Sequence, residues 1–515
     1  MEREEDVGVG VGVVVGVDVV GDGAGGGFGS PAVMAPAADA QIRGDGGSVM
    51  AYEALLDGVV RWSARDRAAL AAALLPVTER WTGAHRPRTR AAERLLAVVR
   101  SAVGPVGTGT AEPAEQEPAR GWLETCQHEA VSLVVGERIQ EICAWLRRGE
   151  TVPMLLAMPS RPSGAVEPRD LVMRLTEYEQ AGARPGPADL GQALLRCGGG
   201  PADEEVVGAA AELTLPEAPR VVAWLRRGGL PQPEWTVERE PGAPQAPSRR
   251  YGARVGRRIL VGTQTLEGRG DFPRTYWPLF RRFEPLIGCN HILLGHREQH
   301  AAAALPWHPE IVAARLLTEV AAAADRNGAS GSPEFLPALA RSEGPAGPAV
   351  HLGVAYGLGA GPDADRDAAV EALLALAAQG RLDGAFLGGE LARLVLLGTL
   401  KLPTVTASLR LAAGATGGMT GGVAGGATAG ATAGATGGAE AVWPVLASAL
   451  PELLAAVDSG LLTRLHPPLL ALAADCARDC GARGTVAGVD VLAGRPGSSQ
   501  SVREARRLRA TLAGA

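Results

Sequence analysis

The chain has 515 residues, 46% of them hydrophobic but only 4% aromatic, and a formal net charge of −6. That length exceeds one compact core, so several domains or an extended repeat array are expected, with apolar surface drawn from aliphatic helices. The acidic balance argues against a broadly basic nucleic-acid-binding surface, and Lys401, the only lysine, sits in LLGTLKLP without the glycine-rich turn of a P-loop, which excludes P-loop ATPase chemistry.

Residues 1–48 are low-complexity Gly, Val and Ala, so a disordered tail is expected, with the first good helix opening at Met50. The segment upstream of Met50 is therefore a candidate for a mis-assigned translation start. Within it, Gly21, Gly23 and Gly26 imitate a dinucleotide fingerprint, but Pro31 and Pro36 are expected to deny the helix that must follow. The acidic start MEREED is wrong for a signal peptide, and no run of 18 apolar residues predicts a membrane span. Six scattered cysteines suggest reduced thiols, so a cytoplasmic protein without cofactors is expected.

From Met50 the pattern is helix, Gly or Pro break, helix. AWLRRG occurs from Ala144 and again from Ala223, 79 residues on, close to two helical-repeat units of about 40 residues. Helical repeats are thus predicted over 49–248. An irregular insertion with β structure is predicted over 249–305, where RILVGTQT reads as a strand, half of a hairpin. Repeats resume over 306–515. There Val370, Leu373, Leu374 and Ala377 share one helix face, as do Leu387, Leu391, Leu394 and Val395. The tract 413–438, Gly, Ala and Thr with nothing to bury, is predicted to be a disordered loop. The fold class that follows is all-α, a HEAT-like α-solenoid of tandem helix pairs.

Candidate chemistry is sparse. Cys289, His291, His296 and His300 form the densest set of metal ligands, with His296 and His300 four apart on one helix face. HREQH nevertheless lacks the Glu that a zincin carries directly after its first His, and no C-x-x-C pair occurs. Arg249, Arg250, Arg254, Arg257 and Arg258 with Tyr251 could grip phosphates, and Arg503, Arg506, Arg507 and Arg509 form a second cluster. Cys143, Cys476 and Cys480 fall on apolar stripes and read as core; Cys126 and His128 lack the geometry of a nucleophile pair. Asp363, Asp365 and Asp367 open a helix, where carboxylates complement the dipole. With no catalytic motif in view, no enzyme is expected.

The segments LLAMPSRPSGAVEPRDLVMRLTEYEQAGARPGPADLGQALLR, LPWHPEIVAARLL, AVEALLALAAQGRLDGAFLGGELARLVLLGTLKLPTVTASLR and ALAADCARDCGARGTVAGVDVLAGRPGSSQSVREARRLRATL resemble an uncharacterised actinobacterial family of helical-repeat proteins over most of residues 150–515. The resemblance implies no established activity or site residues, and it points to proteins with SWIM-type zinc fingers as partners. Arg161 stands where that family has an aromatic residue, and the 413–438 tract replaces a short turn. The function expected is a non-catalytic scaffold for protein partners. The alternatives are a nucleic-acid-binding array using the Arg249–Arg258 patch and a zinc protein using residues 289–300.

Overall fold

A computed structural model describes residues 28–44, 48–82, 87, 89–107, 129–239, 258–285, 300–325, 335–415, 437–463 and 465–514. They are mostly helical, with one small two-stranded sheet. In the N-terminal part the helices are α1 (Pro31–Arg43), α2 (Val49–Arg80), α3 (Arg90–Val103), α4 (Ala130–Arg148), α5 (Pro168–Gln180), α6 (Pro187–Arg196), α7 (Glu204–Glu212) and α8 (Ala218–Arg227). Strands β1 (Trp235–Arg239) and β2 (Ile259–Thr263) follow, then α9 (Trp277–Phe280) and α10 (Ala301–Ala304). The C-terminal part comprises α11 (Pro309–Asp325), α12 (Leu336–Ala340), α13 (Pro348–Leu358), α14 (Asp363–Ala378), α15 (Gly384–Leu396), α16 (Leu402–Ala413), α17 (Gly438–Asp458), α18 (Pro467–Asp479), α19 (Val489–Gly494) and α20 (Gln500–Ala513).

Helix starts follow local chemistry. Ser48 accepts the Ala51 amide at 3.2 Å and Asp383 the Phe386 amide at 2.9 Å, while Pro168, Pro187, Pro348 and Pro467 occupy first-turn positions where the missing N–H costs nothing. Helix α2 breaks at Asp66, whose φ of −155° leaves the helical region and whose side chain caps the second half through Ala69 N at 2.9 Å. Both copies of AWLRRG end at a left-handed glycine, Gly149 at φ 71° and Gly228 at φ 79°, with Trp145 and Trp224 buried behind them.

Two expectations need correction. The supposed disordered tail contains α1, which packs on α2 and α3. Pro31 sits at its first position, and Pro36 forfeits only its own bond to the Ala32 carbonyl. Met34, Ala38 and Ile42 offset that loss by burial, and Asp39 accepts from Trp81 Nε1 at 2.9 Å and pairs with Arg80. The glycines of the supposed fingerprint lie outside the described residues. The β structure, in turn, begins before residue 249. β2 pairs antiparallel with β1, in register Trp235 to Thr263 and Arg239 to Ile259, so the partner strand lies ahead of the expected boundary. Of the 413–438 tract, 416–436 lie outside the described residues; its flanks meet, Gly438 N donating to Ala415 O at 3.3 Å.

Helix α4 is central to the N-terminal part. It touches α2, α3, α6, α9 and α10 and is covered by the 3-10 turn Arg274–Tyr276. The fully buried β2 packs on α11 and α13, joining the sheet to the C-terminal part. From α13 to α18 each helix touches its next or next-but-one neighbour along the chain. Among the described residues α17 alone is long and apolar enough to cross a membrane; Val442, Val445, Leu446, Leu450 and Leu453 on it are buried, and it packs on α15, α16 and α18.

A remote carboxylate opens two of these helices. Glu141 of α4 accepts the amides of Ala188 and Asp189 at 3.0 and 2.8 Å, at the start of α6. Glu310 of α11 accepts those of Gly347, Ala349 and Val350 at 2.8, 2.9 and 2.9 Å, at the start of α13. Both starts read Gly-Pro-Ala, Gly186–Ala188 and Gly347–Ala349. In each, a β-carbon on the glycine would enter the carboxylate's space.

Helix α15 crosses α17 closely: a β-carbon on Gly388 would run into the Val445 carbonyl, whereas one on Gly389 meets only Ser448 Oγ at 3.9 Å. Gly388→Ala is expected to destabilise the protein by about 1–3 kcal/mol through overpacking. Gly389→Ala should be neutral or stabilising by up to about 1 kcal/mol through helix propensity. Urea unfolding of the two variants checks the pair; equal midpoints would refute the close crossing.

Candidate functional site

The segment between α4 and α5 has no regular secondary structure, yet Met154, Leu155, Leu156 and Ala157 are buried. Buried backbone without a helix or ladder must find its partners elsewhere. It finds them in charged side chains. Asp57 of α2 accepts the Leu155 amide at 2.7 Å, and Asp189 of α6 accepts those of Leu156 and Ala157 at 2.6 and 3.4 Å. Tyr178 donates to Met154 O at 2.6 Å, Arg174 to Leu156 O at 2.8 Å and to Met158 O, and Arg196 to Ala157 O.

These side chains are themselves cross-linked. Arg138 of α4 donates to Glu53 Oε2 and to Asp189 Oδ1, both at 2.7 Å, and Arg196 Nη2 donates to Glu53 Oε1 at 2.6 Å. Arg61 holds the second oxygen of Asp57 at 2.6 Å. Burial alone would raise the Glu53 carboxyl, but Arg138 and Arg196 overcome it and hold the group at about 2. Burial likewise opposes the charged form of Arg138, and Glu53 and Asp189 outweigh it, raising the guanidinium above its ordinary value. Arg138, Arg196, Glu53 and Asp189 are all at most 3% exposed. Each carboxylate oxygen is already occupied, so the cluster works as a clamp on the loop. Glu141 behind it is pushed by burial to about 7, against the pull of the Ala188 and Asp189 amides.

The clamp presents a tight tip, Pro159–Gly164. Ser160 N and Arg161 N both donate to Ala165 O, at 2.7 and 3.1 Å, and Gly164 N returns to Arg161 O at 2.9 Å. Gly164 has φ 96°, and a β-carbon there would lie 2.6 Å from Ala303, so only glycine fits. Glu343, which follows α12, reaches across to Ser163 Oγ at 2.6 Å and Arg161 Nη1 at 3.1 Å. Arg161 and Pro162 remain exposed.

The residues singled out from sequence are placed elsewhere. His300 precedes α10 and lies against Tyr52, ring centroids 4.7 Å apart; Cys289, His291 and His296 lie outside the described residues. Among the described residues no group of three metal-ligating side chains converges. Arg258 is buried at the entry to β2 and so is not part of an exposed patch, while Arg249, Arg250, Tyr251, Arg254 and Arg257 are outside the described residues. Cys143 and Cys476 are buried, and burial pushes both thiols up, that of Cys476 to about 12, away from the reactive thiolate. At the C-terminus Arg506 donates to Ala493, Arg495 and Gly497 carbonyls and Arg507 pairs with Asp475, so half of that cluster staples the fold.

The clamp residues escaped sequence reading, although a signal existed. Glu53 and Asp57 are four apart, and Asp189 and Arg196 seven apart, on the apolar faces of helices, where charge is out of place unless paired. Glu53→Gln is expected to destabilise the fold by about 3–5 kcal/mol by stranding two buried guanidiniums. Because the folded pKa is depressed, Glu53's contribution is present above about 4.5 and lost as pH falls toward 2. Stability measured from pH 6 to pH 2.5 should therefore fall less steeply in the variant; parallel profiles would contradict the assignment.

Residues 45–225 match a family model described as a domain of unknown function (DUF7824). No curated protein and no solved structure matches the chain. The matched segment carries Glu53, Asp57, Arg138, Asp189, Arg196 and the 159–164 tip.

Proposed function

We propose that the protein is a non-catalytic, HEAT-like helical-repeat scaffold that holds a protein partner, with the 159–164 tip as a recognition element. The observation that carries this reading is the clamp: six buried charged side chains from four helices fix one loop whose outward product is a small tip. Burying that much charge is costly unless every partner is present, and rigid loops on helical frames are where recognition concentrates. The repeat reading is supported by the recurrence of Glu and Gly-Pro-Ala at α4 with α6 and at α11 with α13, and by the neighbour-to-neighbour packing from α13 to α18. Such arrays act by offering extended surfaces to partners. The family resemblance makes a SWIM-type zinc-finger protein the first candidate.

Capture of the full chain on beads from its own lysate, after nuclease treatment, is expected to retain discrete proteins. The paired substitution Arg161→Glu and Pro162→Glu, at exposed positions, should release the principal one by at least tenfold in Kd while the melting temperature stays within about 2 °C. Retention of the same protein by the variant would remove the tip from the interface, and capture of nothing that survives nuclease would overturn the scaffold.

A further inference from the structure

Most buried guanidiniums in this protein have named acceptors: Arg138 and Arg196 hold carboxylates, and Arg174, Arg315 and Arg381 hold backbone carbonyls. Half-buried Arg220 and two exposed arginines close to it are held differently. Arg220 of α8, with Arg269 and Arg274 of the 268–277 segment, makes no hydrogen bond or ion pair among the described residues. All three lie instead against aromatic rings. The Arg220 guanidinium carbon is 5.4 Å from the Phe272 centroid, while those of Arg269 and Arg274 are 5.3 and 5.8 Å from that of Trp277.

The base beneath them is rigid. Phe272 packs between Trp224 and Phe280, at centroid distances of 5.5 and 4.9 Å. Tyr276 is buried and donates to Ala188 O at 2.8 Å, and Trp277 Nε1 donates to Phe272 O at 3.2 Å. Two 3-10 turns, Arg269–Asp271 and Arg274–Tyr276, fix where the arginines emerge. On α8, Arg220 and Arg227 are seven apart and so share a face, spanning about 10 Å at 1.5 Å per residue. Arg227 reaches Asp271 of the same segment at 3.6 Å. The helix face and the turn therefore form one ridge that carries four arginines, with Asp271 and Glu217 beside them.

Arg220 Nε and Nη2 are buried without an acceptor, which is costly for charged donors. The acids that face Arg220 are Glu217 and Asp271, and neither bonds to it. Arginine, with its planar fork of donors, is the side chain suited to phosphate oxygens.

We propose that Arg220, Arg227, Arg269 and Arg274, stacked on Phe272, Trp224 and Trp277, form a binding ridge for the phosphodiester backbone of single-stranded nucleic acid. A row of cations along two elements fits a chain of phosphates better than a lone phosphoryl group, and the absence of any required base contact predicts little sequence preference. The ridge uses none of the tip residues and goes beyond the scaffold reading, which can fail without it.

The test is fluorescence anisotropy of a labelled single-stranded 12-mer, as DNA and as RNA, titrated with the full chain from 25 to 200 mM salt. Arg269→Glu with Arg274→Glu, both at exposed positions, should weaken binding at least tenfold at low salt and flatten the salt slope by about 0.7 per lost phosphate contact. Glu217→Gln should tighten binding, because it removes a carboxylate from beside Arg220. Circular dichroism of each variant confirms that the fold is retained. Binding that the double variant leaves unchanged, or no binding by the wild type at 25 mM salt, would overturn the ridge. Competition by inorganic phosphate or a phosphoserine peptide as strong as that by the oligonucleotide would replace the polynucleotide with a single phosphoryl group and defeat the assignment.

Discussion

The fork of Arg138 between Glu53 and Asp189 is the interaction on which the N-terminal part depends. One guanidinium on α4 ties α2 to α6, and Arg196 closes the ring by returning to Glu53. Buried ion pairs are often replaceable by apolar residues of equal volume at little cost. Here that substitution has an added consequence, because Asp189 and Asp57 also accept the amides of Leu155, Leu156 and Ala157. An apolar triad could fill the same volume but would leave the Leu156 and Ala157 amides without an acceptor. The charges are thus retained by the loop they hold, and the loop's exposed tip carries the contact with Glu343 in the C-terminal part.

The same economy recurs between helices. Glu310 stands in the first turn of its own helix, where sequence logic assigns it to the local dipole, yet its oxygens serve three amides at the start of α13. His351 of α13 then accepts the Asp383 amide at 2.8 Å, just ahead of α15. Its Nδ1 faces Gly347 O at 2.7 Å, so the ring is the tautomer protonated there, and burial lowers its pKa and keeps it neutral. Each cap joins a helix to the next but one along the chain. A glycine before the proline is required because the incoming carboxylate takes the β-carbon's place.

Periodicity made the helices legible, since Leu373, Leu387, Leu391, Leu446 and Leu450 all face the core as their spacing predicts. It failed where a local rule was outweighed by a remote one. Pro31 and Pro36 suggested that no helix could form, but Met34, Ala38 and Ile42 had a surface on α2 waiting for them. Within RILVGTQT the strand was visible, while its partner at Trp235–Arg239 was not, because pairing over 20 residues leaves no local mark. The clamp was hidden for a related reason: a charge on an apolar face reads as an interruption until the opposite charge, 50 to 150 residues away, is known. Motif and composition therefore mark the histidines of 289–300, which lack the pattern of a zinc site, and give no sign of Arg138.

The arginine bias of the chain, one lysine among 50 basic residues, reads first as a coding effect. The structure gives it a mechanical consequence. Arg381 donates to the carbonyls of Ala340, Ser342 and Gly344, Arg506 to those of three residues around α19, and Arg196 to Ala157, Ala303 and Glu53 at once. A lysine ammonium, a point charge on a flexible stem, cannot span such sets of acceptors, so lysine at these positions would leave carbonyls unmatched. In this protein an arginine with several acceptors is the ordinary means of fixing irregular backbone. Against that background Arg220, Arg269 and Arg274 lie on aromatic rings and take no acceptor among the described residues.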